Sequence, residues 1–160
     1  MVGDLNKADF SAVAFVPVKD ARRVSASALS VFREQNTRLA NLIGLKKLLY
    51  QKEHGLSSTA AYGELEERCL ISTTTFKKTI NGSLDPTRHF LYKFSVGLQM
   101  TLEEANTYFE LCGGVLNERC MADYICIHAL LDHDDISLFI EQFEKHTEIK
   151  LFRERGSGKR

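Results

Sequence analysis

The sequence predicts an all-α fold, and three observations carry that prediction. From Ser25 to Lys145 the apolar residues recur three and four positions apart, the spacing that gathers them on one face of a helix. The gaps between these runs hold Ser, Thr or Asp where a helix would start and Gly where one would stop. Only two short stretches, 11–18 (SAVAFVPV) and 148–154 (EIKLFRE), have enough β-branched and aromatic residues to read as strands, and Pro17 restricts the first to an edge or an end. Paired, they would form a short terminal β-ribbon, which is marginal without support.

Length and composition bound the rest. The 160 residues suit one compact domain or two small ones, and an apolar fraction of 44% is enough for a packed core. No run approaches the roughly 18 apolar residues that a membrane span needs. The apolar piece 12–18 is short and lacks a basic leader with a small-residue cleavage site, so a cytoplasmic location is expected.

Near Ser25 or Ser27 a long helical pattern begins and runs to His54-Gly55. Its stripe is Leu29, Phe32, Leu39, Leu42, Ile43, Leu49 and Tyr50. Gly44 weakens it by about 1 kcal/mol against Ala, and Asn36-Thr37 offers a place to split it in two. Residues 56–59 connect it to the next helix, where Leu65 and Cys69 share a face. Ile71 follows in a tight turn, and Ser72 can cap a further helix by accepting from an orphan backbone N–H. On that helix Phe76 and Ile80 point inward, which leaves Thr73, Thr74, Lys77 and Asn81 outward with Lys78 flanking them. Asn81-Gly82 ends it in a left-handed turn.

Asp85 as N-cap and Pro86 at the first helical position predict the next helix, with Phe90, Leu91, Phe94 and Leu98 on one face. Thr101 and Glu104 have capping-box spacing, and Leu102, Ala105, Phe109 and Cys112 form the stripe behind them, closed by Gly113-Gly114. Asn117 opens a helix with Met121, Tyr124, Ile125, His128 and Leu131 spaced inward, His128 as a core histidine. Asp134-Asp135 offers a negative cap to a last helix burying Ile136, Phe139, Ile140 and Phe143. Residues 87–112 and 120–145 read as the same hairpin offset by about 33 positions, too few copies for a solenoid.

The stretch Ile71-Ser72-x-x-x-Phe76, Ile80-Asn81-Gly82, Asp85-Pro86-Thr87 resembles the lambda-repressor-like, or Xre-type, helix-turn-helix family. The resemblance continues through residues 97–104 (GLQMTLEE) and covers about residues 60–113. Three positions depart from the family's habit. Glu66 stands where alanine is usual, Leu70 where glycine is usual in the turn, and Ser83-Leu84 in a loop that commonly carries a cation. The resemblance implies a helix-turn-helix domain over 38–114, after an N-terminal extension and the start of the long helix over 1–37. An acidic helical hairpin over 115–148 and a strand candidate with a basic tail over 149–160 would follow.

It also implies a transcriptional regulator bound to double-stranded DNA. Hydroxyls, an amide and ammonium groups on one outward face suit base edges and phosphates in a major groove. Thr73, Thr74 and Asn81 are then the expected base contacts, and Lys77, Lys78 and Arg88 the phosphate contacts. The alternative is a protein-interaction module, an antitoxin-like or phage-encoded regulator or inhibitor that keeps the scaffold without specific DNA binding.

Charge distribution speaks to both readings. Net charge is zero, but residues 101–148 hold eleven Asp and Glu against two Lys and Arg. Such a block repels phosphate, so it is expected to face a protein partner, or a second copy in a homodimer. The four cysteines are spaced too widely for the paired ligands of a zinc site, and no metal or cofactor is expected. The 132–135 cluster (DHDD) reads as a helix cap and loop. No nucleophile elbow, phosphate loop or dinucleotide fingerprint is present, so no enzyme is expected.

Overall fold

The computed structural model describes residues 24–151. Among them are seven α-helices and no strand: α1 (Ala26–Glu53), α2 (Ser58–Cys69), α3 (Thr73–Asn81), α4 (Arg88–Gly97), α5 (Leu102–Phe109), α6 (Met121–Asp132) and α7 (Ile136–Thr147). The all-α expectation holds. Contacts divide the chain into two units, Met1–Glu34 and Gln35–Arg160, with the boundary inside α1. The described part of the first unit is the start of α1, where Ser25 Oγ accepts the Ala28 N–H at 3.1 Å. The second unit contains the core.

α1 is continuous past both Asn36-Thr37 and Gly44. Its buried stripe is narrower than the sequence suggests, at Leu39, Ala40, Ile43, Lys47 and Tyr50, while Phe32 and Leu49 are exposed and Leu29 is half-buried. α2 is capped by Ser57, whose hydroxyl accepts the Ala60 N–H, and buries Ala61, Leu65 and Cys69. It ends at Leu70 in the left-handed region, φ 55°, where glycine would be cheaper.

α4 lies at the centre. Phe90, Leu91, Tyr92, Phe94, Ser95, Val96 and Gly97 are all buried, because α2, α5, α6 and α7 all pack against it. Gly97 is required by the α2 crossing. A Cβ there would come within 2.6 Å of the Arg68 carbonyl oxygen and 2.7 Å of Cys69 Cα, so the two backbones touch. Rings fill the interior. Phe76 meets Phe90 edge-on at 5.4 Å, and Tyr92 meets Phe109 and Phe143 at 5.6 and 5.4 Å.

Several expectations are corrected. The cap of α4 is Thr87, whose hydroxyl accepts the Phe90 N–H, and Asp85 and Pro86 stay in the preceding loop. Thr101 caps α5 as expected, but Glu104 reaches Lys46 at 2.7 Å instead of closing the box. α6 starts at Met121, behind Cys120, with no side-chain cap. Its inward residues are Asp123, Cys126, Ile127, Ala129 and Leu130, while Met121, Tyr124, His128 and Leu131 are exposed. His128 is therefore not a core histidine and packs on Tyr124 at 4.4 Å. The physical reason is that α6 is apolar almost all round, so period alone does not choose its face. α7 is capped by Asp135 and buries Phe139, Ile140 and Phe143 as expected.

The terminal ribbon falls largely outside the described residues, which exclude 152–154 of its second strand. The stretch 11–18 lies outside the described residues. In the other candidate, Glu148 closes α7 at φ 62°, and buried Leu151 donates its N–H to Glu144 Oε2 without entering a strand.

Candidate nucleic-acid interface

The face singled out by the sequence is α3. Ser72 caps it, its hydroxyl accepting the Thr75 N–H at 3.1 Å, and Gly82 closes it at φ 89°. Phe76 is fully buried and anchors the helix, but the second buried residue is Thr79, with Ile80 only half-buried. The helix is thus turned slightly from the expected orientation. Ile80 leans toward α1, where a Cβ on Gly44 would lie 3.1 Å from its Cγ2.

Thr74, Lys77, Lys78 and Asn81 are exposed and Thr73 is half-buried. Several of these groups already have partners. Thr73 donates both its backbone N–H, at 3.2 Å, and its hydroxyl, at 2.8 Å, to Glu66 Oε1. That carboxylate meets the positive end of the α3 dipole, which favours it there. It also puts a negative charge at the N-terminal end of α3. Asn81 Oδ1 accepts the Ser83 N–H at 2.8 Å and so holds the loop that follows. The Lys77 ammonium stands 5.4 Å from the centroid of the Tyr62 ring.

Arg88 is the expected site residue that the structure takes out of the set. Its Nη1 donates to the carbonyls of Cys112 at 2.6 Å and Gly114 at 2.7 Å, and its Nη2 donates to Asp123 Oδ2 at 2.7 Å. The guanidinium also lies 4.9 Å from the Phe109 ring centroid. Asp123 is 4% exposed and additionally accepts the Tyr92 hydroxyl at 2.6 Å and the Asn117 N–H at 2.9 Å. Burial, reinforced by Asp123, pushes the Tyr92 phenol well above its ordinary range. This network joins α4, the loop 110–117 and α6, so Arg88 is a structural cation and not a phosphate clamp. A charge in the first turn of a helix after Pro86 gave no hint that its partner was 35 residues away.

Sequence reasoning also passed over Lys47 and Tyr62. Lys47 is 5% exposed. Its position was legible, since it shares the α1 stripe with Leu39, Ile43 and Tyr50. Among the described residues no group of three His, Cys, Asp or Glu side chains is placed to hold a metal ion. All four cysteines are free, and burial pushes the Cys69 and Cys126 thiols up to about 12. No described helix is long and apolar enough to cross a membrane. Compared with protein-family models, with curated proteins and with solved structures, the chain finds no match.

Proposed function

We propose that the protein is a DNA-binding regulator that presents α3 to a major groove. The observation that carries this reading is the composition of the α3 outer face. It is a nine-residue helix, capped at both ends and anchored by Phe76, whose exposed side chains include Thr74, Lys77, Lys78 and Asn81 and no carboxylate. Short polar groups and cations on a rigidly held short helix suit base edges and phosphates. Thr73, Thr74 and Asn81 are the proposed base contacts and Lys77 and Lys78 the phosphate contacts. Arg88 is not among them. Glu66 opposes binding, and so with only two cations on the helix the nonspecific affinity is modest.

The test is selection of duplexes from a random pool, followed by binding of Lys78→Ala and Thr74→Ala across salt. Lys78→Ala should flatten the dependence of log K on log salt by about one unit on every duplex. Thr74→Ala should cost about 1–3 kcal/mol on the selected duplex and little on random DNA. Failure of selection to yield any preferred duplex would refute the proposal.

A second reading, a protein-interaction module, is favoured by the outer face of α6. Met121, Tyr124 and Leu131 are 54%, 44% and 56% exposed, and the exposed residue between them, His128, adds no fixed charge. Solvated helix faces are ordinarily charged, and uncharged apolar stripes on a surface mark contact sites. A protein partner or a homodimer would use this face. Leu131→Lys should then abolish association in sedimentation without moving the melting temperature.

A further inference from the structure

A buried ammonium without a carboxylate stands beside an apolar groove in the second unit. Lys47 Nζ donates to Gln51 Oε1 at 2.8 Å and to Ser58 Oγ at 2.7 Å, and lies 4.4 Å from the Tyr62 ring centroid. Among the described residues no Asp or Glu forms an ion pair with it. Lys77 brings a second ammonium to the same ring at 5.4 Å. A buried charge is costly unless it is paired, and here two like charges lie near one aromatic ring. Burial first, and then Lys77, hold the Lys47 ammonium below its ordinary pKa, as an unneutralised site requires.

The groove itself has a volume of about 420 Å³ and its wall includes Gly44, Leu45, Leu48 and Ile80. Leu45 and Leu48 are 52% and 56% exposed, although they sit on the same helix as the core stripe. An apolar cleft of a few hundred Å³ with one or two convergent polar groups is the usual form of a small-molecule site. Of the three N–H groups of Lys47, two are taken by Gln51 and Ser58, so one remains for a ligand oxygen. That matches a carboxylate better than a phosphate, which brings three acceptor oxygens.

From this geometry we infer that the groove between α1, α2 and α3 binds a small amphipathic monocarboxylate, its acid group at Lys47 with the Lys77 charge nearby, and its apolar body along Leu45, Leu48 and Ile80. The inference does not depend on DNA binding, and its test uses no DNA.

The experiment is a titration of the full chain followed by backbone amide NMR, with octanoate, 1-octanol and inorganic phosphate as probes. Octanoate should shift the Gly44, Lys47 and Ile80 amides saturably. Octanol should shift the same amides about tenfold more weakly, since it lacks the charge-assisted bond, and phosphate should not saturate. Lys47→Met should bring octanoate down to the level of octanol. Leu48→Asp and Lys77→Gln alter exposed side chains, leave the fold intact and should each weaken octanoate. They decide the matter even if Lys47→Met does not fold. Equal binding of octanoate and octanol to the unaltered protein, saturable phosphate binding at these amides, or unchanged octanoate affinity in Leu48→Asp would overturn the inference.

Discussion

Replacing Arg88 by alanine should unfold the protein more readily before it changes any binding property. The guanidinium donates to three acceptors, two of them loop carbonyls, and its partner carboxylate is 5% exposed. Removing it leaves Asp123 with the Tyr92 hydroxyl and the Asn117 N–H but without a cation, and orphans the Cys112 and Gly114 carbonyls. Losing one member of a buried pair costs about 3–5 kcal/mol. Arg88 is 26% exposed, so water can enter and recover part of this, which leaves a loss of about 3 kcal/mol. That is a large share of the roughly 5–15 kcal/mol of a typical domain. Arg88→Lys should lose less, about 1–2 kcal/mol, because it keeps the charge but cannot reach three acceptors. Urea unfolding followed by circular dichroism measures both. A loss below about 1 kcal/mol, together with a flatter salt dependence of DNA binding, would refute the structural role and return Arg88 to the phosphate contacts.

Phe76→Ala should cost about 3–5 kcal/mol in thermal or urea unfolding, because the ring is fully buried against Phe90 and Phe94. Gly97→Ala adds only a methyl group, yet it should cost about 3 kcal/mol, because besides Cys69 Sγ the new atom overlaps the Arg68 carbonyl oxygen and Cys69 Cα, which no side-chain rotation can clear. Stability should fall as pH rises above about 9. Burial raises the Cys69 and Cys126 thiols from 9.0 to about 12, so above pH 9 the unfolded chain releases protons that the folded chain keeps. The slope is about 1.4 kcal/mol per pH unit for each thiol, fully expressed between those values. Urea midpoints measured from pH 8 to 10.5 should show the decline, and Cys69→Ala should flatten it.

What could be read from the sequence was what local chemistry decides. Ser72, Thr101 and Asp135 were legible as caps because a hydroxyl or carboxylate three residues before a free N–H has one favoured use. Phe76, Phe139 and Phe143 were legible because amphipathic helices leave one choice of face. α6 did not, since apolar residues surround it, and the side that turned inward was the one bearing Asp123. That choice depends on Arg88 and Tyr92, which lie 35 and 31 positions away, so no local window contains it. The exposure of Thr74, Lys77, Lys78 and Asn81 on α3 was legible, but the engagement of Thr73 by Glu66 and of Lys77 by Tyr62 requires knowing how α2 lies against α3. The α4 start was misread for a smaller reason. Asp-Pro and Thr-x-x both announce a helix, and the hydroxyl of Thr87 won.

Among the described residues, three helices close on a left-handed residue that is not glycine: Leu70, His133 and Glu148, at φ 55°, 56° and 62°. A Cβ in that conformation costs about 1–2 kcal/mol, so the chain holds unused stability at its helix ends. Leu70 is half-buried against the core and spends its strain on packing, whereas His133 and Glu148 are exposed. Glycine at those two exposed positions would release about 1 kcal/mol apiece after its own entropy cost. The doubly substituted chain would then be a more stable background in which to measure damaging changes such as Arg88→Ala.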